Sequence, residues 1–165
     1  GPPGRTGRDQ LARVREFLRS PERRAGELVV VGCDRAALAL ATASTGERAT
    51  FYPVDCAGSL HTSVIELLVR AGASGVLVAA CPPRDCWNRE GPRWLGERMY
   101  HDREAELQER VDRRRVRLAH VDARDAAGAR AMIAAFARDL DALAAPHAEE
   151  SLDVDTACEP VEVPE

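Results

Sequence analysis

Short apolar runs alternate along the chain with longer stretches in which apolar residues recur every three or four positions. The first pattern fits buried strands and the second fits amphipathic helices. Residues 1–8 read as a linker. Residues 9–19 form the first predicted helix, with Leu11, Val14, Phe17 and Leu18 on one stripe. Pro21 and Gly26 interrupt it, and residues 28–31 make a first strand that ends at Gly32. Asp34 suits the cap of an alanine-rich helix over 35–43. Residues 50–54 are a second strand. Residues 59–71 are a helix with Val64, Ile65, Leu67 and Leu68 inward, closed by Gly72. Residues 75–80 are apolar throughout, which assigns them to the centre of a sheet. Pro82 and Pro83 mark a loop, and from Gly91 to about Asp112 the pattern is that of a long charged helix. In 116–121, Val116 and Leu118 alternate with Arg117, as on an edge strand. Residues 125–145 are the last helix, with Met132, Ile133, Phe136, Leu140 and Leu143 at helical spacing and Pro146 as the stop.

Strands alternating with helices predict an α/β fold: a doubly wound, mostly parallel four-stranded sheet, order 2-1-3-4, with helices on both faces. In such sheets ligands bind beyond the carboxyl ends of the strands, at the switch point. The chain divides into an N-terminal linker and helix (1–26), an α/β domain (27–146) and an acidic C-terminal tail (147–165).

Charge sharpens that division. The 165 residues hold 23 basic and 27 acidic side chains, a net of -4, and every basic one is arginine. Seven acids and no arginine fall in 147–165, so residues 1–146 carry 20 acids against 23 arginines, a net of +3. The chain is a near-neutral domain with an acidic tail, a candidate strap onto a larger complex. Ten arginines in 84–117 are interleaved with eight acids, and Glu106/Arg110 and Glu109/Arg113 have the spacing of a solvated helix face. That pattern argues against nucleic-acid binding. The apolar runs are too short to cross a bilayer, which excludes direct membrane insertion. The start of the chain has no charged region followed by an apolar run, so the expected location is cytoplasmic, with membrane association only through partners.

The five cysteines bring in the chemistry. Cys33, Cys56 and Cys81 each follow one of the first three strands, and Cys86 closes the loop that begins at Cys81. The predicted topology therefore brings four thiols to one end of the sheet, whereas buried structural cysteines scatter through elements as small hydrophobes. Four thiolates can hold zinc or an iron–sulfur cluster. Arg35, Arg84 and Arg89 lie near them in sequence, Asp85 can shape the loop, and Trp87 and Trp94 flank it. His120 ends strand four on the same side, while His61, His101 and His147 lack metal-like spacing. Cys158 stands apart in the tail as a bystander.

The stretch from Ala71 through the Gly-Val-Leu-Val strand to Cys81-Pro-Pro-Arg-Asp-Cys86 resembles the delta subunit family of methyl-viologen-reducing hydrogenase. The resemblance takes in Val29-Val-Val-Gly-Cys33, Pro53-Val-Asp-Cys-Ala-Gly58, the stretch through Asn88, Arg89, Gly91 and Arg93, and Val116 to Asp122 with the final helix, covering about residues 27–145. Two positions depart from it. Ala36 stands where the family commonly has a further cysteine, and Ser59 and His61 fall where it has an arginine and an acid. The resemblance implies an electron-transfer subunit with a [2Fe–2S] cluster on Cys33, Cys56, Cys81 and Cys86. It implies partners among flavin- and iron–sulfur-containing oxidoreductase subunits: a hydrogenase or formate dehydrogenase on one side and a heterodisulfide-reductase-like subunit on the other. Such a protein is not catalytic alone.

Two other readings stand beside it. A structural zinc module uses the same thiols. A thiol enzyme with a phosphate-binding cysteine loop needs an arginine six residues after its nucleophile, where this chain has Ala39, Thr62 or Trp87, and a Cys-x-x-Cys motif is absent.

Overall fold

The computed structural model describes residues 6–21, 26–33, 49–82, 91–100, 111–122 and 124–147. Four strands, β1 (Leu28–Cys33), β2 (Ala49–Val54), β3 (Gly75–Ala80) and β4 (Val116–His120), form one all-parallel sheet in the order β2-β1-β3-β4. The architecture and the order are those predicted from the sequence. Around the sheet lie α1 (Gly7–Arg19), α2 (Thr62–Arg70), α3 (Gly91–Tyr100) and α4 (Ala126–Asp141). The helix expected over 35–43, with Arg35 in it, lies outside the described residues. So do Arg84, Asp85, Cys86, Trp87, Arg89, His101, Cys158 and the tail from residue 148.

Burial sorts the strands as their sequences do. β1 and β3 are buried along their whole lengths, while β2 and β4 each expose residues. Runs of Leu, Val and Ala without polar interruption fit only strands covered on both faces. Right-handed crossovers put α2 and α3 on one face of the sheet and α4 on the other. Gly75 shows how closely α4 approaches: a Cβ there would lie 2.5 Å from Leu140 Cδ1. Phe136, Leu140 and Ile133 of α4 enter the core from that side, and Ile65, Leu68, Leu95 and Met99 from the other.

Several element ends differ from expectation. α1 starts at Gly7 because Thr6 and Asp9 form a reciprocal capping box, in which Thr6 Oγ1 accepts from the Asp9 amide and the Asp9 carboxylate accepts from the Thr6 amide. β1 continues to Cys33, whose ladder partner is Val54, so Cys33 is the strand's last residue and not the residue after it. The helix expected from residue 59 begins only at Thr62, where His61 Nδ1 accepts the Ser63 amide, and Ser59 instead ends a 3-10 turn (Ala57–Ser59). The long charged helix ends, within the described residues, at Tyr100. Residues 101–110 lie outside them, and Asp112 caps a second 3-10 turn (Arg113–Arg115). Arg113 is therefore not on the predicted solvated helix face. α4 stops at Asp141, four residues early, because the chain beyond it leaves the helix to meet Arg115: the Arg115 guanidinium donates to the Ala144 carbonyl and, at 2.8 Å, to that of Ser74.

Candidate cofactor site

The parallel ladder aligns the carboxyl ends of β1 and β3. Gly32 pairs with Ala79, which places Cys33 beside Ala80 and one position short of Cys81. The two sulfur atoms meet there: Cys33 Sγ lies 3.0 Å from Cys81 Sγ. That is longer than a disulfide bond, about 2.05 Å, so these are two thiols in contact, close enough for one metal ion to span. Both are buried, Cys33 at 4% and Cys81 at 7% exposure. The thiols are thus set by the backbone of the two most buried strands, with core side chains behind them.

Cys56 reaches the same end of the sheet by a different route. It lies two residues beyond Val54, the ladder partner of Cys33, and is half-buried. Its carbonyl accepts from the Ser59 amide at 3.0 Å and the Ser59 hydroxyl at 2.9 Å, which closes the 3-10 turn. A side chain from outside the sheet locks that turn. Gln10 on α1 donates its amide to the Ser59 carbonyl and accepts the His61 amide with its carbonyl, both at 2.9 Å. Gln10 and Arg13 also line, with Tyr52, Asp55 and Cys56, a hollow of about 40 Å³, room for a few waters. The Tyr52 ring packs on Phe17 of α1 with 4.9 Å between centroids. Burial pushes the Tyr52 hydroxyl above its ordinary pKa, partly opposed by Arg13. Nothing in the local sequence marks Gln10: its partners are 49 and 51 residues away.

His120, the last residue of β4, stands at this edge as expected. Its Nδ1 is 3.1 Å from the Cys81 carbonyl, which can only accept, so the ring donates from Nδ1.

Of the four predicted ligands, then, Cys33 and Cys81 are brought into contact, Cys56 stands at the same sheet edge, and Cys86 lies outside the described residues. Among the described residues no three His, Cys, Asp or Glu side chains are grouped to hold a metal ion. Cys33 and Cys81 fit thiolate metal chemistry by donor type and by their shared burial, since soft sulfur ligands suit zinc and iron–sulfur clusters.

Residues 28–144, all four strands and both buried thiols included, match the family model for the delta subunit of methyl-viologen-reducing hydrogenase. The chain belongs to this family. The match covers well over half of the chain and confirms the resemblance carried by the segments around Cys33, Cys56 and Cys81–Cys86. α1, with its Gln10 clamp, lies before the first residue of the delta-subunit match. No curated protein matches the chain. No helix among the described residues is long and apolar enough to cross a membrane.

Proposed function

We propose that this chain is an electron-relay subunit of a multi-subunit oxidoreductase, with a [2Fe–2S] cluster held by Cys33, Cys56, Cys81 and Cys86. Its partners would be a hydrogenase- or formate-dehydrogenase-like module and a flavin- and iron–sulfur-containing, heterodisulfide-reductase-like subunit, in the cytoplasm. Membership of a hydrogenase subunit family supports the setting. The observation that carries the chemistry is the contact of two buried thiols at the carboxyl end of the central strands.

When bound, such a cluster takes up and releases one electron. The protein's own residues have three tasks. Cys33 and Cys81 present sulfur from a rigid strand pair, which limits rearrangement between oxidation states. Their burial keeps bulk water from the sulfurs, and water access and hydrogen bonding set the potential of such centres. Ser59 and Gln10 hold the Cys56 turn, and His120 holds the Cys81 carbonyl, so the sulfurs at the two flanks are tied to different secondary elements.

The test is anaerobic purification with iron, zinc and sulfide analysis, and EPR before and after dithionite. The expected result is two irons and two sulfides per chain, with a signal appearing on reduction. A colourless protein with one zinc and no sulfide overturns the relay and makes the chain a structural zinc module.

A further inference from the structure

The same pair of thiols has a second chemistry available whenever no metal lies between them. Disulfide formation requires Cα atoms about 4.4–6.8 Å apart. Neighbouring parallel strands offset by one residue give about 6 Å, from their spacing and rise. Cys33 and Cys81 have that offset, and their sulfurs are already 3.0 Å apart. This is within the range of a near-attack arrangement, in which the second step of thiol–disulfide exchange becomes intramolecular. Cys56 sits two residues beyond its strand on a separately locked turn.

We infer that Cys33 and Cys81 form a reversible intrachain dithiol–disulfide couple in the metal-free protein, one whose oxidation closes the site to a metal. The half of this statement that concerns metal loading rests on the proposed cofactor; the disulfide itself does not. With a small disulfide as oxidant, the thiolate of Cys81, the more exposed of the two, attacks one oxidant sulfur. One small thiol leaves, and a mixed disulfide remains. The thiolate of Cys33 then attacks the Cys81 sulfur and expels the second small thiol. The two cysteine thiols lose two electrons and two protons, and one small disulfide becomes two thiols. The new bond ties the carboxyl ends of β1 and β3, and with two electrons gone to the oxidant it leaves no thiolate at either position to bind a metal. Since both thiols are buried, a compact uncharged oxidant such as diamide works faster than glutathione disulfide; with diamide the two hydrogens pass to the azo group, giving the hydrazine.

The experiment uses the full chain, purified metal-free under reductant and then desalted anaerobically. It is treated with diamide or glutathione disulfide, alkylated, digested without reduction and mapped by mass spectrometry. The expected product is a monomer that has lost two hydrogens, with the Cys33 and Cys81 peptides joined. Cys33→Ser and Cys81→Ser abolish that link, and Cys56→Ser and Cys158→Ser keep it. Circular dichroism of each variant identifies any that fails to fold, and the wild-type map decides the matter without them. A dominant link through Cys56, Cys86 or Cys158, an intermolecular link, or unchanged thiols at Cys33 and Cys81 overturns the inference. In a second arm the oxidised and the re-reduced chains are offered iron and sulfide anaerobically. Uptake at least tenfold lower in the oxidised chain, restored by dithiothreitol, is expected, and equal uptake overturns the gating. If the reduced chain takes up no iron, the cofactor proposal fails while the peptide map still judges the couple.

Discussion

The two ends of the sheet are built from different materials. The carboxyl end carries sulfur: Cys33 and Cys81 are in contact there, Cys56 sits on a turn held by Gln10 and Ser59, and His120 donates to the Cys81 carbonyl. The amino end carries charge. Arg115, 9% exposed, ties the Ser74 and Ala144 carbonyls together, Thr50 Oγ1 donates to the buried Glu27 carboxylate, and Arg114 grips Asp112 through two bonds of 3.0 and 2.9 Å. The contrast assigns a mechanical task to one end and a chemical task to the other.

That division can be broken by substitution at either end. The largest stability effect is expected from Arg115→Ala, which removes two charge-assisted bonds from a buried guanidinium to the carbonyls of the half-buried Ser74 and the exposed Ala144. Bonds of this kind contribute about 1.5–3 kcal/mol each, so a loss of roughly 3–5 kcal/mol in urea unfolding is expected, with unchanged iron per folded molecule. A fall in iron content that tracks the stability loss would show that the ends are not separable. Next comes Gly75→Ala at the start of β3. The added Cβ would lie 2.5 Å from Leu140 Cδ1 and 3.1 Å from the carbonyl oxygen of Arg115. Overpacking of this sort costs about 1–3 kcal/mol. At the sulfur end, Gln10→Ala deletes two hydrogen bonds on a half-exposed turn, for roughly 1–2 kcal/mol. Its informative readout is thiol alkylation of the metal-free chain: Cys56 should react several times faster while Cys33 stays protected. Equal acceleration at both cysteines would mean that α1 supports the whole fold and not the Cys56 turn.

How much of this was legible in the sequence depends on the range of the forces involved. The apolar runs of β1 and β3 declare their own burial, and with alternating helices they fix the order 2-1-3-4 before any contact is known. The meeting of Cys33 and Cys81 follows, because both sit at the ends of adjacent central strands. Features held by long-range polar contacts were not legible. Arg115 reads as one of three consecutive arginines on a solvated surface, yet its targets lie 41 and 29 residues away and it is buried. Gln10 reads as one more polar residue on a helix. Ser59 reads as the start of a helix, whereas its hydroxyl bond to the Cys56 carbonyl makes it the end of the Ala57–Ser59 turn. Thr6 and Asp9 carry a short-range signal: a hydroxyl followed three residues later by an acid is a capping pattern, and it sets the helix start at Gly7, inside the stretch that otherwise reads as linker.

The smallest expected effect tests the charged end by pH. The side-chain hydrogen bond from Arg114 holds the Asp112 carboxyl below its ordinary pKa, against the opposing effect of burial and with help from the Arg114 amide and the charges of Arg114 and Arg115. A carboxyl whose pKa is lower in the folded chain contributes stability that is full above its unfolded value, about 3.9. The contribution fades as pH falls through the lower folded value. Arg114→Ala removes the side-chain partner, so the wild type should be slightly the more stable at pH 7 and the two should converge as pH drops towards 2–3. Because Arg114 is exposed, added salt should narrow the gap at pH 7 as well. Paired urea titrations across that range measure the difference. A gap that persists unchanged at low pH would mean that Arg114 acts through packing, and that the 3-10 turn beneath Arg115 does not depend on charge. Cys56 alkylation should be the same in both proteins at every pH where they are folded, since the perturbed pair sits at the opposite end of the sheet from the thiols.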